Sequence, residues 1–353
     1  MSIWRYASRF LELPAEHRIT LGEGETPLVR SRHIGPAAGL SSLYFKLEGM
    51  NPTGSYKDRF AAAGVGDMLR QSKRRCIATS SGNTGAALAA YCAAAGIVCE
   101  IAVVEPAPLA KLKQMMAYGA YIYKVRGFGI DPRITAETVE VLRRRSASPD
   151  AALQISAFVT SPVGMSGVQT ISYELAEQMA DGLDHVFVPA GGGGLTLALA
   201  RGFEDASSRW RPRVHCVQPT GNDTIVSALC RGDEKARAVQ STTQISGLQV
   251  SSVLDGDMVI AACRRSGGTG HLVSDEQVWT MQSRLAKEEG IFCEPAAAVS
   301  VAAALQAFEA GQFAADARTC CIVTGVGFKD MPSVDLMARS ECPILDVVDL
   351  GAE

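Results

Sequence analysis

Between Arg75 and Ser156 the chain alternates short apolar, β-prone runs with longer Ala-rich or amphipathic ones. This rhythm predicts strands at Cys76–Thr79, Val98–Val104, Tyr121–Val125 and Leu153–Ile155, separated by helices at Thr84–Ala95, Leu109–Tyr118 and Pro132–Arg145. Strands that alternate with helices point to a parallel sheet covered by those helices, because each helical crossover can return the chain to run in the same direction. A second series surrounds the first. Strand Leu43–Leu47 and a helix from Ser55 to about Arg70 precede it; a helix over Gly167–Ala180, strands Val186–Pro189, Val214–Gln218 and Cys321–Thr324, and helices near positions 195, 275 and 297 follow. At 353 residues the chain exceeds what one core usually holds. The expected architecture is therefore α/β with two open parallel-sheet lobes: a large domain made of residues 1–73 and 161–353, a small domain of residues 74–160 inserted in it, and a cleft between them where a small ligand would sit.

Composition narrows the function. With 47% hydrophobic residues, 20% charged residues and 34 glycines, the chain reads as a compact enzyme-like protein. A formal charge of −3, with cations and anions interspersed, gives no basis for nucleic-acid binding. The longest apolar runs span about 14 residues where a membrane helix needs ~20, so no membrane partner is expected. The first residues lack a secretory pattern, and a cytoplasmic setting is the expectation. The ten cysteines show no paired CxxC spacing and no Cys/His grouping of zinc-site spacing, which points to no metal and no disulfide framework. The five histidines read as structural or surface residues.

Four segments carry the chemistry, each where a strand gives way to a helix or loop. Asn51-Pro-Thr-Gly-Ser-Tyr-Lys-Asp-Arg59 sets Lys57 at a helix start, where the dipole disfavours a cation and a lysine made partly neutral can form a Schiff base. A solvent-facing Lys57 paired with Asp58 is the plain alternative. Ser80, Ser81, Asn83 and Thr84 open the next helix, and their hydroxyls and backbone N–H groups suit a carboxylate; an ordinary cap is equally compatible with them. Gly191, Gly192, Gly193 and Gly194 follow an apolar strand and would let backbone amides wrap a phosphate. A nicotinamide fingerprint fits poorly, since Thr196 stands where its last glycine belongs and the acidic residue ~20 positions on is missing. Thr324 ends the last strand, where its hydroxyl could meet the ring nitrogen of a flat cofactor.

In this order the segments resemble those of the fold type II pyridoxal 5'-phosphate (PLP) enzymes, and in detail the threonine synthase family. The similarity covers nearly the whole chain, including Trp4-Arg-Tyr, Leu21-Gly-Glu-Gly-Glu-Thr-Pro-Leu28, Gly290-Ile-Phe-Cys-Glu-Pro-Ala296 and Thr324 to Asp330. The resemblance implies that Lys57 is the Schiff-base lysine and proton shuttle, that Asn83 partners the cofactor's 3'-oxygen, and that Gly191 to Gly194 hold its phosphate. It further implies that Thr324 faces the pyridine nitrogen and that Ser80, Ser81 and Thr84 receive the carboxylate of a small amino-acid substrate. A homodimer is the family expectation. A neutral Thr324 does not enforce a protonated pyridine, which favours elimination over transamination.

The expected activity is conversion of O-phosphohomoserine and water to threonine and phosphate. One departure qualifies it. Family members using that substrate often carry an Asn-Pro-x-Arg-x-Glu-Gly type segment, whereas this chain reads Ser161-Pro-Val-Gly164-Met-Ser-Gly167. Without the arginine fork the phosphate is held by other residues or the leaving group differs. The alternatives are β-elimination or β-replacement on serine, threonine or O-phosphoserine, as in a dehydratase or cysteate synthase type enzyme, and a protein that only binds a ligand. Intact Lys57, Asn83 and glycine loop argue against the last.

Overall fold

The structure, a computed structural model, describes residues 2–107, 109–206, 210–338, 342, 344, 346 and 347. Strands β1 (Leu28–Arg30) and β2 (Leu43–Leu47) precede β3 (Arg75–Thr79), β4 (Val98–Val104), β5 (Tyr121–Val125) and β6 (Ala151–Gln154), and β7 (His185–Pro189), β8 (Arg213–Pro219), β9 (Gly270–Val273) and β10 (Thr319–Val323) follow. They form a six-stranded sheet ordered β1-β2-β10-β7-β8-β9 and a four-stranded sheet ordered β5-β4-β3-β6. Every pairing is parallel except that of β1 with β2. Strands β7 and β10 are buried along their whole length, as parallel strands covered on both faces must be.

Helices Asp275–Glu289 and Pro295–Glu309 cover one face of the large sheet. A single apolar core runs from its other face through the Lys57–Arg70 and Asn83–Ala95 helices onto the small sheet. The Pro132–Ser146 helix packs Leu142 near Ile77, Ala102 and Ala151 on the small sheet's remaining face.

Several expected elements needed adjustment, and some helices, such as Gly256–Ser266, were not anticipated. The helix expected over Gly167–Ala180 is two helices, Pro162–Val168 and Thr170–Gln178, the first starting early because Pro162 fits a first helical turn. The strand expected at Leu153–Ile155 lies at Ala151–Gln154, because the Ile155 N–H donates to Ser161 Oγ at 3.0 Å and leaves the ladder. Strands β1 and β9, of three and four residues, carry too few alternations to register as a pattern.

The Lys57–Arg70 helix is fixed by charge as well as by packing. Arg59, fully buried, donates from Nε and Nη2 to the two carboxylate oxygens of Glu48, each at 2.8 Å. It also donates to Glu174, from Nη2 at 2.8 Å, and to Thr170 Oγ1 at 2.9 Å. Lys46 donates to the same Glu174 at 2.7 Å and to the Thr26 carbonyl at 2.8 Å. Two cations and two carboxylates thus bind the end of β2, the helix and the Thr170–Gln178 helix, with every charge paired as a dry interior demands.

Across the large sheet, His185, His215 and His271 on adjacent strands form a chain, with Nδ1 of His185 2.9 Å from Nε2 of His215 and Nε2 of His271 3.1 Å from Nδ1 of His215. The Thr269 N–H also points at His215 Nδ1, at 3.3 Å, so that nitrogen is the acceptor and the proton order runs from His271 to His215 to His185. His215 and His185, each accepting on Nδ1, are therefore neutral, and burial lowers the pKa of all three rings, that of His271 to about 4. An unfolded imidazole binds a proton below pH ~6.5. Stability is thus retained above that value and lost as pH falls toward the folded value. Between pH 7 and pH 5 His271 alone should cost about 2 kcal/mol. Denaturant titrations of wild type and His271→Gln at the two pH values test this: the variant should show the shallower pH dependence.

Candidate active site

In an open parallel sheet a crevice forms at the carboxyl ends of the strands where the strand order reverses. The small sheet reverses between β3 and β6, and the large one between β7 and β10. The two crevices face each other across one cleft of about 400 Å³. Ser80, Ser81, Asn83 and Thr84 enter it after β3, Ser156 after β6, Gly191 to Gly194 after β7, and Thr324 after β10. Lys57 reaches it from the first turn of its helix. Every site residue singled out from sequence lines this cleft.

The Lys57 amine donates to Ser156 Oγ at 2.6 Å and lies 4.5 Å from the centroid of the Tyr56 ring. Burial lowers its pKa to about 7, against the pull of Glu294 and Asp255 in the other direction. Sequence offered the helix dipole as the cause of such a shift; removal of the amine from water is the larger one. The Lys57–Asp58 pair does not form. Asp58 turns back to accept from the Thr53 N–H at 2.6 Å and from the Thr53 hydroxyl at 2.5 Å, closing the loop that presents the lysine.

The Asn83–Ala95 helix begins after Gly82 with no side-chain cap, so its first N–H groups open toward the cleft. A Cβ on Gly85 would come within 2.7 Å of the Ser80 carbonyl, and the turn closes only because that residue has none. The Gly194–Asp205 helix also starts without a side-chain cap, and its N-cap Gly193 holds φ at 91°. Side chains at Gly192 and Gly193 would strike Leu254 and Val259 at 2.7 and 2.6 Å, which keeps the loop a bare backbone cradle. Residues Ser246 to Val250 form the facing wall.

Three participants had no role assigned from sequence, although Glu294 stood in the Gly290–Ala296 motif. Glu294 accepts from Asn83 Nδ2 at 3.0 and 2.9 Å and from the Thr324 hydroxyl at 3.1 Å, tying the two lobes together inside the cleft. Its own pKa is raised by burial, with the Asn83 bond, the field of Lys329 and the Thr324 bond opposing. An acidic residue before Pro295 resembles an ordinary helix cap, yet Glu294 makes no capping bond and its side chain serves the site. Ser156 and Asp255 carried no local signal. Asp255 accepts from the Phe158 and Val159 N–H groups at 2.8 and 3.1 Å and so positions the segment that follows Ser156.

The cleft combines an uncapped glycine cradle for an anion, an amine neutral enough to attack a carbonyl, and a polar pair able to grip a ring between them. The sequence profile described as pyridoxal-phosphate dependent enzyme matches residues 19–325. The chain belongs to this family. Curated threonine synthases are among its relatives: that of Methanosarcina acetivorans is 32% identical over 94% of this chain and 81% of its own length, and that of Methanocaldococcus jannaschii is 32% identical over 97% and 84%. Among solved structures, maize serine racemase aligns with a TM-score of 0.75 at 25% identity, covering 95% of this chain and 94% of its own. As a member of the pyridoxal-phosphate dependent family this is a lyase of fold type II that requires PLP.

The residues present fit that cofactor. Gly191 to Gly194 and the helix they open match its phosphate, the Lys57 amine its aldehyde, and the Asn83–Glu294–Thr324 group the polar edge of its ring. Gly193→Ala adds a left-handed strain of about 1–2 kcal/mol and a collision with Val259. It should weaken PLP binding by about tenfold or more, read by titrating apoenzyme with PLP and following the visible band.

Proposed function

We propose that the protein converts O-phosphohomoserine and water to threonine and phosphate. The observation that carries this reading is the shared cleft, in which an amine with pKa about 7 stands between a glycine cradle and an uncapped helix N-terminus. The identity with threonine synthases over nearly the full chain supports the substrate. When bound, PLP draws electrons from the α-carbon of an attached amino acid and so acidifies its proton. Lys57 Nζ, poised near neutrality, takes that proton and returns it at a later carbon, while the Ser156 hydroxyl fixes where the amine points. Ser80, Ser81 and Thr84, at the helix N-terminus, bind the substrate carboxylate and orient the α-hydrogen toward Lys57. Glu294 holds the Asn83 amide and the Thr324 hydroxyl on one carboxylate, so neither has to reorganise as charge develops.

One observation favours a second reading. A Cβ at Gly164 would lie 2.6 Å from Phe60 Cε2, so no arginine can stand there unless Phe60 moves. The cleft instead adjoins a cavity of about 100 Å³ lined by Lys111 and Lys329, cations able to serve a phosphate. If they do not, the substrate is serine, threonine or O-phosphoserine and the reaction is β-elimination or β-replacement.

Titration of the holoenzyme with O-phosphohomoserine, then O-phosphoserine, serine and threonine, decides between them when the visible spectrum, phosphate, ammonia and amino-acid products are followed. Phosphate and threonine from O-phosphohomoserine alone establish the first reading; spectral change and turnover only with a serine-type substrate establish the second. The family resemblance also supports a cytoplasmic homodimer, and light scattering on the purified protein tests the dimer.

A further inference from the structure

Cys76, Cys92 and Cys99 are far apart in sequence pattern but adjacent in space. Cys76 on β3 is the register partner of Cys99 on β4, so both side chains leave the same face of the small sheet. The Asn83–Ala95 helix lies over that face and lowers Cys92 onto them. The three sulfur atoms all lie within 4.8 Å of one another, and all three residues are buried. The arrangement follows from the parallel register and the helix crossing, both fixed elements of the fold. No spacing motif announces it, because two strands and a helix each contribute one ligand.

We propose that these cysteines form a three-sulfur site for a soft, thiophilic metal ion, with monovalent copper as the best-fitting class. An ion bound by three thiolates at about 2.3 Å holds its sulfurs about 4 Å apart, so small side-chain rotations complete the site. Among the described residues no histidine or carboxylate joins the group. Glu100, the nearest acid in sequence, is engaged by Arg75 and Arg145. Zinc usually requires a fourth ligand, whereas soft sulfur donors select monovalent copper. Cys99 lines a surface depression of about 280 Å³ together with Gly96, Ile97 and Tyr118, and is the one of the three cysteines nearest to solvent.

The site is remote from the chemistry. Cys92 lies nine residues along the helix from Asn83, roughly 14 Å at the rise of an α-helix. An ion there would fasten β3, β4 and the helix together at the end opposite the cleft, leaving PLP binding untouched.

The test uses PLP-loaded enzyme with the exposed Cys230 and Cys342 changed to serine, so that only buried thiols remain. Monovalent copper is supplied under anaerobic conditions in competition with a chromophoric chelator, and sulfur coordination is read by X-ray absorption. One copper ion per chain with three sulfur neighbours is expected, with at least a tenfold loss of affinity in each of Cys76→Ala, Cys92→Ala and Cys99→Ala and no change in the PLP band. Copper surrendered to the chelator, a site with only two sulfurs, affinity unchanged in the three variants, or retention of zinc but not copper would each overturn the proposal. Should a variant fail to fold, protection of Cys99 from alkylation by copper in the otherwise unchanged core answers the same question, and unprotected alkylation counts against the site.

Discussion

Lys57→Ala is expected to remove the visible absorbance of bound PLP and to lower turnover by about a thousandfold or more, because the substitution deletes both the attachment point and the base. The Ala variant should still take up PLP through the glycine cradle, measurable after denaturation and release. Lys57→Arg separates the two roles further: its guanidinium stays protonated at any working pH and can neither attack a carbonyl nor remove a proton. Both variants should therefore be equally inactive despite the retained charge in Arg. A visible band that persists in Lys57→Ala would mean that another amine carries the cofactor, and the assignment of this cleft would fail.

The second large effect concerns the fold beneath that lysine. Glu174→Ala leaves Arg59 and Lys46 in a dry interior with Glu48 as the remaining carboxylate, and should cost about 3–5 kcal/mol in urea unfolding. Removing the charges in pairs, as in Lys46→Met with Glu174→Met, should recover part of that loss, since the penalty comes from the unpaired ion. Acid provides an independent check. Burial alone would raise the Glu174 pKa, but Arg59 and then Lys46 outweigh it and hold it at about 2. An unfolded glutamate titrates near ~4.3, so the contribution is whole above that pH and disappears as pH falls toward 2. Wild type should lose stability over this window, and Glu174→Ala should lose less.

The parts of the site legible in sequence were those written locally. Gly191 to Gly194 after an apolar strand, Ser80 to Thr84 opening an Ala-rich helix, and Lys57 inside a Gly/Ser-bounded loop each announce a strand-to-helix junction, and parallel topology sends such junctions to one crevice. Ser156, Glu294 and Asp255 could not be read this way. Each acts on a partner 97 to 211 positions distant, through contacts that only the packed sheets create. The histidines illustrate the same limit. Nothing near His185, His215 or His271 indicates that three adjacent strands align their rings into one hydrogen-bonded chain. Arg59 was visible only as part of a motif, and its pairing with Glu48 and Glu174 requires the helix crossing to be known. Gly164 was legible as a departure, but its cause, the ring of Phe60 occupying the space, was not.

The contacts joining the lobes along one rim are polar: Lys111 to Asp330 at 2.8 Å and to Ser246 at 2.6 Å, and Lys329 to Gln114 at 2.7 Å. Water can replace such bonds almost one for one, so parting them forfeits little compared with exposing an apolar seam. That rim behaves as a wettable latch. Any parting of the lobes to admit an amino acid would begin at this polar edge and not in the apolar core they share.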